Sequence, residues 1–384
     1  MIQSIKIEKL FDMFDYDISF QNEENILIIT GPNGFGKTKI LNIIYSLFKC
    51  KFLFFKELVF KKIIISLDFN SVIEIAQITE KNKKEIIFKF LLDKEELGFF
   101  NLDDVIEQVY TDDKAEPHAS FGIFDEDGVF GSLSSLKSAD EIFNHYGSHS
   151  SFSEAVTKKI LSSQSKTILQ ILNSIKVHFV REQRLFKKVI NQYGETSTTF
   201  TPEMILAHAN ELKQRIAKND DIYGKTSREL DGTYPKRLMS ETENLTIEQF
   251  KNRFNILKEK QHKLKVFGIS DSEQEVSEYS EKNATALLVY LKDSEKKISV
   301  FDDLVGKLEL FTSILNERRL TFKSIKIIKD KGFIFVTDKG KELKLTDLSS
   351  GEQHEVVLLF ELIFNTKENT VLLIDEPEIS LHIT

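Results

Sequence analysis

At 384 residues the chain has room for two domains, or for one domain with large insertions, and its 41% hydrophobic and 29% charged residues are those of an ordinary globular protein. The net charge of −8, from 52 Lys+Arg against 60 Asp+Glu, excludes a bulk polyanion binder and leaves nucleic acid only a local basic patch. The single cysteine, Cys50, excludes an internal disulfide and any Cys-rich zinc site, and reads as a buried apolar residue rather than a nucleophile.

Residues 2–9 (IQSIKIEK) alternate as a half-buried strand does, and YDISF (16–20) reads as the antiparallel partner. NILIIT (25–30) is a wholly apolar run before a glycine loop, the pattern of a strand buried on both faces. KTKILNIIYSLFK (37–49) has helical spacing. Residues 61–92 read as three antiparallel strands. Residues 93–155 are polar and irregular, with GIFDEDGVFG (122–131) a candidate hairpin. A helix is expected over 153–175, then a strand over 176–186 that ends in a charged turn. From 202 to 316 the pattern is helical, broken by polar stretches near 218–236 and 268–275, and 203–217 and 246–265 are expected to pair as a short antiparallel arm. Strands return over 321–346 with Gly-containing turns, followed by a helix over 351–364 and a last apolar strand, TVLLID (370–375). No stretch approaches 18 uninterrupted apolar residues and the N-terminus lacks a signal pattern, so a cytoplasmic chain with no membrane span is expected.

Four segments carry chemistry. GPNGFGKT (31–38) fits G-x-x-x-x-G-K-[ST] between an apolar run and a helix. Such a loop turns backbone N–H groups of Asn33, Gly34 and Gly36 around phosphate oxygens, and the helix start adds partial positive charge. Lys37 would reach the β- and γ-phosphates of ATP, and the Thr38 hydroxyl would hold Mg²⁺. In LLIDEP, Asp375 ends an apolar strand where it can hold the Mg²⁺ shell, and Glu376 follows where it can orient or deprotonate water. LSSGEQ (348–353) reads two ways: Ser349 and Glu352 make a capping box, and the same helix start, with Ser350 and Gly351, is an anion site. FVREQRL (179–185) places Gln183 just after a strand. Phe14 or Tyr16 could stack on an adenine, or belong to the core. His145 and His149 read as solvated loop histidines rather than metal ligands, and KNKK (81–84) as a solvated turn.

In this order the segments resemble the ATPase heads of the ABC superfamily, most closely the SMC/RecF/OLD-like branch and within it ATPases of prokaryotic antiviral defence. The resemblance covers residues 1–50, 176–186 and 320–384. It implies that Ser350 and Gly351 are signature residues contacting the γ-phosphate bound to Lys37 of a second subunit, with Glu352 beside them. It implies that Gln183 senses Mg²⁺ and the γ-phosphate, and that Ser380, Leu381 and His382 form a loop at the dimer interface. The stretch between the phosphate loop and LSSGEQ exceeds what transporter ATPases insert and falls short of SMC coiled coils.

The fold expected is therefore α/β, a P-loop NTPase of the ABC-ATPase-head type with an antiparallel β subdomain and a helical insertion. Residues 1–200 and 320–384 would form the head and 201–319 the insertion. The family pattern continues beyond the last motif here, so the chain is expected to be truncated after that loop and to hydrolyse ATP poorly. The leading expectation is an ATPase that forms a homodimer or higher homo-oligomer around ATP and switches a separate effector, such as a nuclease, or a nucleic-acid-directed activity. A RecF/SMC-like DNA-repair clamp and an ATP-binding scaffold or sensor with little catalysis are the alternatives.

Overall fold

The computed structural model describes residues 1–20, 26–80, 83–115, 139, 142–143, 150–181, 204–243, 245–270, 279–318, 320 and 322–380. The chain divides into two compact units, Met1–Val180 with Lys367–Asp375, and Arg181–Thr366 with Glu376–Thr384.

The first unit is built on a six-stranded antiparallel sheet. Strands β1 (Ile2–Leu10), β2 (Phe14–Ser19), β3 (Lys62–Leu67), β4 (Ser71–Glu80), β5 (Lys83–Leu92) and β6 (Glu95–Asn101) lie in the order β2-β1-β3-β4-β5-β6. The alternation read in β1 is the burial pattern: Ile5, Ile7 and Leu10 are buried while the residues between them face outward. Strand β6 was not expected. It follows β5 through Asp93 and Lys94, both with positive φ (52° and 71°), the backbone that lets two residues reverse a hairpin with the correct twist. Neither residue is Gly or Asn, so the turn carried no strong signal.

Helices α1 (Lys37–Phe48), α2 (Leu102–Ala115), α3 (Ser150–Ser163) and α4 (Lys166–Asn173) share the core of this sheet, with α2 packed on β5 and β6, α4 on β6 and α3 on α2. The single helix expected over 153–175 is two, because Ser165 caps a new start by accepting from the Ile168 N–H at 3.3 Å. Phenylalanine fills much of the core: Phe52 meets Phe88 and Phe100 edge-on at 5.4 and 5.3 Å, and Phe88 stacks on Phe100 at 4.6 Å. Inside that core Lys56 and Asp103 form an ion pair at 2.6 Å, and the Asp103 carboxylate also accepts the Ile86 N–H at 2.9 Å. Two further strands, β7 (Lys176–Val180) and β11 (Thr370–Ile374), pair in parallel with Ile374 opposite Val180.

The apolar run expected as a buried strand is not one. Residues 26–30 join none of the three sheets among the described residues, and Ile26 and Ile28 are 63% and 77% exposed. A strand forms only where a neighbour completes its ladder, and apolar character alone does not supply one.

The second unit packs α5 (Met204–Ser240), α6 (Ile247–Val266), α7 (Ala284–Ser299), α8 (Asp302–Arg318) and α9 (Ser350–Phe360) with an antiparallel sheet of β8 (Lys323–Ile328), β9 (Gly332–Thr337) and β10 (Glu342–Leu343). Helix α5 runs unbroken through the polar stretch 218–236, including Pro235. Partners outside the helix hold that stretch: Lys297 pairs with Asp231 at 2.8 Å, Arg237 grips Asp293 through two bonds, and Lys329 pairs with Asp220. The expected two-helix arm does not form either, since α5 and α6 each pack against α7. Both helices place apolar residues in a core shared with α7, α8 and β8–β9, so neither buries its face on the other alone. After α9 the chain continues as a π-turn, Glu361–Asn365, before β11.

Candidate functional site

The glycine loop, residues 31–36, precedes α1 directly. Gly36 is the cap residue at φ 78°, and a Cβ there would approach Leu10 Cδ2 to 2.9 Å. A side chain would be strained by backbone and blocked by packing, so glycine is required. The consequence is a helix start with no capping side chain and no acid in its first turn. Its outward N–H groups and partial positive charge are left for an anion from outside the chain.

Lys37 curls back on the loop and donates to the Gly31 and Pro32 carbonyls at 2.6 and 3.1 Å. Those acceptors are neutral and exposed, so a phosphate oxygen can replace them. Thr38 Oγ1 donates to Asp375 Oδ1 at 3.0 Å, across 337 residues of sequence. Asp375 is buried, and its N–H donates to the Val180 carbonyl at 2.9 Å, extending the β7–β11 ladder by one residue. Strand pairing therefore carries the carboxylate to the first turn of α1. The loop tip is propped as well: Phe35 packs on Phe14 at 4.9 Å, and the Tyr16 hydroxyl donates to the Phe35 carbonyl. Burial pushes the Tyr16 phenol up. In this structure Phe14 and Tyr16 thus support the loop, and the neighbour each one takes was not readable from the sequence. Asn33 and Gly34 are exposed at the loop.

The donor set fits a magnesium nucleotide. Among the described residues no three His, Cys, Asp or Glu side chains gather to bind a metal alone. One carboxylate and one hydroxyl beside an anion-seeking loop suit Mg²⁺, which keeps waters and takes its remaining oxygens from phosphates. Glu376 comes next in the chain, with its backbone at φ 45°, a conformation that non-glycine residues adopt at a cost.

The second unit holds LSSGEQ. Ser349 Oγ accepts the Glu352 N–H at 3.3 Å, and the Glu352 carboxylate accepts the Ser349 N–H at 2.9 Å, a complete capping box at the start of α9. Lys323 binds the same carboxylate at 2.7 and 2.8 Å. Burial raises the Glu352 carboxyl, but the Lys323 ammonium and the Ser349 donors outweigh it and hold the group below its ordinary value. Ser350 is exposed and Gly351 partly so, and both lie in the first turn that this capping box closes. Gln183 lies outside the described residues, as do Leu381, His382, His145 and His149. Ser380 ends a short 3₁₀ turn, Pro377–Ser380. Cys50 is half-buried and burial pushes its thiol up, the opposite of an activated nucleophile.

The family model described as AAA ATPase domain matches residues 1–384. No curated protein matches the chain. Among the described residues no helix is long and apolar enough to cross a membrane.

Proposed function

The chain belongs to the AAA ATPase domain family, and on that premise we propose that it is an ABC-type ATPase whose subunits close head-to-tail around two ATP molecules. The observation that carries this is the contact of the Thr38 hydroxyl with Asp375 beside an uncapped helix start. Bound there, Mg²⁺·ATP supplies the phosphoanhydride to be cleaved and the charge neutralisation its cleavage needs. Asn33, Gly34 and Gly36 offer backbone N–H groups to the phosphates. Lys37 exchanges the Gly31 and Pro32 carbonyls for β- and γ-phosphate oxygens. Thr38 and Asp375 hold the metal, with Gln183 completing that shell and sensing the γ-phosphate. Glu376 orients and deprotonates the attacking water.

Ser350 and Gly351 complete the site of a second subunit, and Glu352 keeps their helix start in shape. Contacts to the γ-phosphate made only in the closed dimer give a population shift driven by ATP and reversed by hydrolysis. That shift switches a separate effector, such as a nuclease, or an action on nucleic acid. The order of motifs supports placement in the SMC/RecF/OLD-like branch and a role in antiviral defence.

The test is ATP turnover against protein concentration, with Glu376→Gln alongside. A rate per chain that climbs with concentration and falls about 10²–10⁴-fold in the variant is expected. A rate per chain independent of concentration overturns the shared site.

A further inference from the structure

A cavity of about 290 Å³ lies within the second unit, opening between α5, α6, α7 and the turn after β8, and none of its lining residues belongs to the motifs above. Apolar and aromatic side chains form part of its walls. Leu264 and Ile298 line it, and Tyr223 meets Phe301 at 5.8 Å with the rings tilted by 43°. Three uncharged polar residues also line it, Gln261, Ser270 and Ser294, of which Gln261 and Ser294 are 9% and 6% exposed. Neither Gln261 nor Ser294 is hydrogen-bonded within the described residues, and their polar ends are not sealed off but open onto the cavity. Buried carboxamides and hydroxyls are almost always satisfied, by protein, water or ligand. The cavity gives both groups room for an outside partner.

The charges narrow the ligand. Lys297 and Lys329 reach the cavity, but each is paired with an aspartate, Asp231 and Asp220 respectively. Both ammoniums are thus already paired, Lys297 with an aspartate outside the lining, which disfavours a phosphorylated or carboxylated occupant. A carboxamide presents a donor and an acceptor side by side, the pairing with which glutamine reads the N6/N7 edge of adenine. Aromatic rings beside it favour a planar partner. The volume is at the small end for ligand sites, which suits a base or nucleoside and is too small for a dinucleotide.

We propose that this cavity binds a neutral, planar nitrogen heterocycle of nucleobase or nucleoside size, held by Gln261 and Ser294 against Tyr223 and Phe301. It is a second ligand site, independent of the phosphate loop, and stands whether or not the ATPase reading does. The test is equilibrium dialysis of the full chain against labelled adenosine, guanosine and cytidine, none of which carries the phosphates the loop needs. One nucleoside should bind with one-to-one stoichiometry. Gln261→Leu and Ser294→Ala, each checked for an unchanged melting temperature, should weaken it tenfold or more, and Lys37→Ala should leave it as in the parent. Three results overturn the proposal: no binding of any of the three at millimolar concentration, binding that survives both cavity variants, or binding lost in Lys37→Ala.

Discussion

Helices α1 and α9 both begin in motifs suited to anions, yet they treat their first turn in opposite ways. At α1 the cap is Gly36, with no side chain to offer and no acid nearby in the helix. At α9 the chain supplies its own anion: the Glu352 carboxylate accepts from the Ser349 N–H and from Lys323. The orphan N–H groups at a helix start must find acceptors somewhere. One start is self-contained, and removing part of it should cost stability. The other is open, and changing it should cost ligand affinity with little effect on the fold.

The largest effect should come at the open start. Among the described residues Lys37 bonds only two loop carbonyls, so Lys37→Ala should leave the melting temperature nearly unchanged. Its ammonium would make charge-assisted bonds to phosphate worth about 1.5–3 kcal/mol, so ATP affinity should fall roughly 10- to 150-fold. Titration with a fluorescent ATP analogue, paired with a thermal melt, checks both halves. A large drop in melting temperature with affinity retained would erase the contrast between the two helices.

A smaller effect, in the other currency of stability, is expected at α9. Glu352→Gln keeps an acceptor for the Ser349 N–H but removes the charge that Lys323 binds, and should lower unfolding free energy by about 1 kcal/mol at neutral pH. The sign with pH follows from the group's depressed folded value, set by Lys323 and Ser349 against the opposing effect of burial. A carboxyl held lower in the folded state stabilises above its unfolded value, about 4.3, and that stabilisation is lost as pH falls through the folded value. Urea midpoints of parent and variant should therefore differ at pH 7 and converge on the acid side. A gap that persists there would mean that Glu352 acts through shape rather than charge.

Much of the site was legible because its signals are local. GPNGFGKT dictates a turn and a bare helix start, and S-S-G-E dictates a capping box, both by short-range hydrogen bonding. The pairing of β3, β4 and β5 was equally plain from alternation. What escaped depends on partners far along the chain. Nothing in residues 218–236 shows that Asp231 will meet Lys297, or Arg237 meet Asp293, and without those pairs the segment reads as a break in α5. Residues 26–30 fail in the reverse direction: the apolar run is visible, but the ladder partner that would make it a strand is not something the run encodes. Phe14 and Tyr16 show the same limit, because their neighbour, Phe35, sits in the loop itself.

The central claim is that Thr38 and Asp375 hold the metal of a nucleotide seated at α1, and the most direct test is the Mg²⁺ dependence of ATP binding. Affinity should be measured with Mg²⁺ and with chelator, in the parent chain and in Asp375→Asn. The account predicts tighter binding with Mg²⁺ in the parent, and loss of that gain in the variant with its metal-free affinity intact. An equal Mg²⁺ gain in both proteins would contradict it.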